Sequence, residues 1–120
     1  MCMIDFDSDS YGREIPEHTR RSLDNYLVYG LPPGGFLTNV LCNNLYGAIS
    51  NADHINIQRL PDIVRWLNSN APPQSYGHPE GMKYWMSDPD GMRKRYAERV
   101  EKEYTWRVLR TRGEPYDDLH

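Results

Sequence analysis

At 120 residues the chain has room for one domain with a modest core, and too little length for two. Apolar residues make up 38% and the mean hydropathy is -0.80. No run approaches the roughly 18 apolar residues of a membrane-spanning helix, which excludes an integral helical membrane protein. The net charge of -3 is too acidic for nucleic acid to be an expected partner, and Cys2 and Cys42 make no disulfide framework.

Met1 to Ser10 carries Asp5, Asp7 and Asp9 and no positive charge, so it does not read as a signal peptide. Two thiols without a framework suit a reducing cytoplasm. Residues 1–13 lack periodicity and are expected to form a flexible acidic arm, which Ile4 and Phe6 are able to anchor. Residues 14–112 are expected to form the helical domain, and residues 113–120 a polar tail.

The first helix should start near Pro16, which is tolerated in a first turn, with Glu17 at its positive end. Leu23, Tyr26 and Leu27 make its apolar patch, and Gly30 stops it. Leu31 to Gly35 is a turn stiffened by two prolines and loosened by two glycines. It leads into a helix from Leu37 to Ile49, the expected hub, whose apolar arc is Leu37, Val40, Leu41, Leu45, Ala48 and Ile49. Asn44 projects into the middle of that arc. There it either ties the core to a loop or lines a ligand cleft, because a buried amide needs partners.

A third helix is predicted from Asn56 to Asn68 with the stripe Leu60, Ile63, Val64 and Leu67, kinked or restarted at Pro61. Pro79 opens a short helix through Met86. Asp88 and Pro89 then begin a long terminal helix to about Thr111. Its stripe is Met92, Tyr96, Val100 and Tyr104, and its charges include the pairs Glu98–Lys102 and Glu103–Arg107. The whole reads as an all-α domain of four or five short helices with a long charged C-terminal one.

Charge is divided. Between Met92 and Arg112 eight Lys/Arg exceed three Glu by five, so the remainder carries -8 of the total of -3. Arg93, Lys94, Arg95 and Arg99 are the candidate basic surface, although Glu98, Glu101 and Glu103 interrupt it. Tyr76, Tyr84, Trp85, Tyr96, Val100, Tyr104 and Trp106 form a candidate protein interface. The competing reading places the same aromatics in a core poor in Leu and Ile. A terminal helix this long has more apolar stripe than three short helices can cover, so a homo-oligomer is expected, with intramolecular packing as the alternative.

No Gly-x-Ser-x-Gly, phosphate-loop or metal-ligand spacing occurs, so no catalytic residue, cofactor or metal is assigned. Gly34 and Gly35 at a helix start offer backbone N–H groups to an anion, or simply make a tight turn.

Gly30, Pro33 to Leu37, Asn43-Asn44, Ala52-Asp53, Asn56, Asn70 to Pro72 and Trp85 together form a recognisable pattern. It resembles small proteins encoded by tailed bacteriophages, over Ile15 to Trp85. The resemblance brings no activity with it. Taken with the lack of catalytic residues and the aromatic and charged surfaces, it leads to the expectation of a non-catalytic accessory protein that engages a host or defence protein in the host cytoplasm. A sponge for a phosphate-bearing signalling nucleotide, held by Gly34, Gly35, Asn44 and basic side chains, is the alternative. A virion component is a further one. The acidic arm and the charged terminal helix lie outside the pattern.

Overall fold

The computed structural model describes residues 2–112, and the expected tail at 113–120 lies outside them. The described chain is all-α. Seven α-helices run in order: α1 Ser10–Arg13, α2 Glu17–Tyr29, α3 Gly35–Leu41, α4 Leu45–Asn51, α5 His54–Asn70, α6 Pro79–Ser87 and α7 Met92–Arg112. Two 3-10 turns, Phe6–Ser8 and Pro73–Ser75, join them.

The organising element is α2 rather than the segment after it. Leu23, Tyr26 and Leu27 are fully buried, and α2 packs against α3, α6 and α7. It ends on a left-handed Gly30 (φ 69°), with Gly30 N–H donating to Tyr26 O and Leu31 N–H to Asn25 O. Only glycine takes this conformation without strain. A Cβ at Gly30 would also lie 2.7 Å from the Arg93 guanidinium.

The expected hub helix from Leu37 to Ile49 is two helices. Asn43 adopts a left-handed φ of 61°, which Asn tolerates better than most residues, and α4 restarts after it. Asn44 is therefore not a core residue. It is exposed and caps α4, its Oδ1 accepting from Gly47 N–H at 3.1 Å while its Nδ2 donates to Asn39 Oδ1 at 2.8 Å. Gly47 has no side chain because Asn39 and Asn44 occupy that space.

The N-terminal segment is not a loose arm. Phe6 is buried against Trp66, with ring centroids 4.6 Å apart. The Asp24 carboxylate accepts from the N–H groups of Met3 and Ile4, and Arg20 bonds Asp7, Arg13 O and Ile15 O. This packing changes the face that α5 buries. Ile63, Trp66 and Leu67 turn inward, Leu60 is half-buried, and Val64 is exposed. Helix α5 runs unbroken through Pro61, starting at His54 because Asp53 caps the N–H groups of Ile55 and Asn56.

Helix α7 covers its stripe within the chain. Tyr96 and Val100 are buried, and α7 packs on α2 and α6. The argument that this stripe needs a neighbouring copy is thereby removed at those two positions. Asp88 takes a left-handed φ of 50° and its carboxylate accepts from Arg93 and Lys94 N–H, so α7 begins at Met92 rather than at Pro89.

Candidate functional site

Residues 25–52 contain no Asp, Glu, Lys, Arg or His, in a chain that is 26% charged. The structure puts much of this uncharged stretch on the surface. Of the eight exposed large hydrophobics among the described residues, five belong to it: Tyr29, Leu31, Leu45, Tyr46 and Ile49. Helix α4 carries three of them, with Leu45 at 61%, Tyr46 at 87% and Ile49 at 48% exposure, and only Ala48 is buried.

The local cause is the break at Asn43. In one continuous helix Leu45 and Ile49 would continue the arc of Leu37 and Leu41. The left-handed turn reorients α4, so Leu37 and Leu41 stay buried while Leu45 and Ile49 face solvent. The turn between α3 and α4 is tied by polar bonds, with the Nδ2 and backbone N–H of Asn44 donating to the Oδ1 and O of Asn39. Asn39 Nδ2 also donates to Gly35 O within α3, and Asn51 Nδ2 to Gly47 O within α4. A rigid, uncharged element presenting Leu, Tyr and Ile has the composition of an interface centre, where charge is depleted and aromatics are enriched. Hydrophobic periodicity alone missed this surface. The uncharged run, broken by Asn-Asn, was the signal available to find it.

Gly34 and Gly35 line a shallow cleft of about 270 Å³ with Phe36, Asn51 and Asn56. One wall carries a polar network. Thr19 Oγ1 donates to Asn56 Oδ1 at 2.7 Å, Asn56 Nδ2 lies 3.3 Å from His18 Nε2, and His18 lies 3.5 Å from Asp53. The Asp53 carboxyl is held below its usual range, chiefly by the Asn56 N–H it caps. The two halves of the Gly-Gly-Phe-Leu and Ala-Asp-x-x-Asn pattern thus meet in space. Asn44 does not line this cleft, so the expected set of Gly34, Gly35 and Asn44 does not share one ligand site. Helix α3 is also only seven residues long and sums few peptide dipoles.

Neither thiol is activated. Burial pushes Cys42 and Cys2 upward, which keeps them protonated near neutrality. Among the described residues no group of His, Cys, Asp and Glu is arranged to hold a metal, and no helix is long and apolar enough to cross a membrane.

The expected aromatic interface divides. Trp85, Tyr96 and Val100 are core residues: Trp85 donates Nε1–H to Leu27 O at 3.1 Å and meets Tyr96 edge-on at 5.7 Å. They present nothing to a partner. Tyr76, Tyr84, Tyr104 and Trp106 are partly exposed, with Tyr84 OH bonded to Asp90. Arg93 does not belong to a basic surface. Its guanidinium donates to Trp85 O, Val28 O and Met86 O, which satisfies carbonyls at the C-terminal ends of α2 and α6. Lys94, Arg95 and Arg99 are exposed. Within α7, Arg107 and Lys102 lie over the rings of Tyr104 and Trp106.

No family model matches this chain, and no curated protein or solved structure is significantly similar to it.

Proposed function

We propose that this protein is a non-catalytic binding protein that recognises another protein through the outward face of α4. The observation carrying the reading is the exposure of Leu45, Tyr46 and Ile49 on a helix that has no charged residue. Burying a Leu, Ile or aromatic side chain contributes about 1.5–3 kcal/mol each, so a complementary apolar surface would bind this face strongly. Tyr46 is the expected anchor, because a Tyr buries large area with little rotamer entropy. The absence of charge across the hairpin favours a partner that offers an apolar, largely uncharged groove.

A host or defence protein as the partner, met in a bacterial cytoplasm, is part of the same proposal, and the resemblance to small phage proteins is what suggests it. The test is a comparison of two baits in bacterial lysate. The wild-type chain should retain a discrete protein that Tyr46→Asp does not, while both baits unfold at the same temperature. Equal retention by the two would reject α4 as the recognition face.

A further inference from the structure

A second cavity lies on another side of the molecule, between the N-terminal segment, α5 and α7, and has a volume of about 470 Å³. That is within the range of small-molecule sites, roughly 300–1,000 Å³. Its aromatic lining comes from Trp66, Tyr96 and Trp106. Both indole N–H groups among these, Trp66 Nε1 and Trp106 Nε1, are buried and have no hydrogen-bond partner. Buried polar groups are nearly always paired, so two unpaired donors on rings beside one cavity mark a part of the core whose polar groups are left unsatisfied. Trp85, the remaining tryptophan, pairs its N–H with Leu27 O.

The charges at the cavity suit an anionic occupant. Arg99 and Arg107 line it, with Arg110 further along, against Asp5 and Glu103. Arg99 is exposed and lies over the Tyr96 ring at 5.3 Å. Arg107 uses one nitrogen to donate to Met3 O at 3.1 Å, and a guanidinium has five N–H donors in all. Among the described residues neither Arg99 nor Arg107 is in an ion pair.

We propose that this cavity binds a small flat anion, an aromatic body carrying a carboxylate or a phosphate. The aromatic body lies among the rings, close enough to Trp66 and Trp106 to perturb them, and the anionic group meets the guanidiniums of Arg99 and Arg107. This site is separate from α4, so the two proposals stand or fall independently.

Indole N–H resonances give a direct test, because the three tryptophans report separately once each is assigned through its Trp→Phe variant. Indole-3-acetate and AMP serve as the carboxylate and phosphate probes. With either probe, the Trp66 and Trp106 cross-peaks should shift saturably while that of Trp85 stays in place. The probe that saturates at the lower concentration identifies the anion. Arg99→Gln, exposed and outside the core, should weaken binding by about tenfold, the loss of one charge-assisted hydrogen bond. Neutral indole-3-acetamide should bind as weakly. Absence of any shift at millimolar probe, equal binding by Arg99→Gln, or equal binding of the acetamide would each overturn the proposal.

Discussion

Helices α4 and α7 treat their apolar residues in opposite ways. Helix α7 is dense in charge, yet Tyr96 and Val100 are buried against the body. Helix α4 has no charge and turns Leu45, Tyr46 and Ile49 outward. Several of the charges that make α7 look like a binding surface also make contacts within the chain. Arg93 bonds three carbonyls, Arg107 bonds Met3 O, and Lys102 and Arg99 lie over rings. Charge density therefore marks the helix that holds the fold together, and absence of charge marks the one with surface to spare.

The strongest way to break this contrast is Tyr96→Ala. It should cost about 3 kcal/mol, as other large-to-small changes of buried aromatics do. The loss includes the edge-on contact with Trp85. Urea denaturation measures it, and a loss below about 1 kcal/mol would mean that α7 is not docked as described. The next effect is at Gly30, where the uncharged stretch touches α7. Gly30→Ala forces a left-handed alanine, at about 1–2 kcal/mol, and pushes a methyl toward Arg93. Thermal unfolding should show the loss, and an unchanged midpoint would count against the cap.

The difference between the two helices was only partly legible in the sequence. The all-α class, the Gly30 stop and the Pro79 start followed from periodicity and turn chemistry. The Asn43 break did not, because Leu37 to Ile49 fits one helical arc and only the left-handed tolerance of Asn argues against it. Trp66 was missed for a related reason: the stripe through Leu60 and Val64 is equally periodic, and only the distant Phe6 decides which face is covered. Arg93 counted as surface because its carbonyl partners lie at the ends of two other helices, and α7's own periodicity does not reveal them. Of the Gly34, Gly35 and Asn44 site, the Gly-Gly and Asp53–Asn56 halves do meet, but Asn44 serves a cap. Periodicity locates an apolar face without saying what covers it.

Asn44→Ala tests whether α4's orientation is held by its polar bonds. Removing the cap should cost about 1 kcal/mol by chemical denaturation. It should also weaken partner retention, since α4 then loses its tie to Asn39. Retention at the wild-type level would separate recognition from the orientation of α4.

On the α7 side, pH gives a smaller effect with a definite sign. Burial raises the Asp24 carboxyl above its ordinary range, outweighing the two N–H groups that it accepts and the nearby Arg107 charge. A group raised in the folded state contributes stability that is complete below the unfolded value, about 3.9, and is lost as pH rises through the folded one. Asp24→Asn keeps the acceptor for Met3 and Ile4 without the buried charge. Relative to the wild type it should gain stability as pH rises from about 4 toward neutrality. A gap that widens toward acid instead would reverse the assignment.

The smallest expected effect sharpens the comparison most. Tyr46→Asp changes the most exposed of the large hydrophobics, on a helix tied to α3 by the Asn44–Asn39 bond and to the body by the buried Ala48. Surface substitutions away from caps and cores usually stay within about 0.5 kcal/mol, and this one should do so in thermal and urea unfolding. The same substitution places a carboxylate at the centre of the proposed contact, where a desolvated unpaired charge is strongly unfavourable. Stability and recognition are therefore expected to separate at this residue and to stay coupled at Tyr96. If Tyr46→Asp instead destabilises the chain by about as much as Tyr96→Ala, the side chain is covered, and α4 is part of the core rather than a face turned toward a partner.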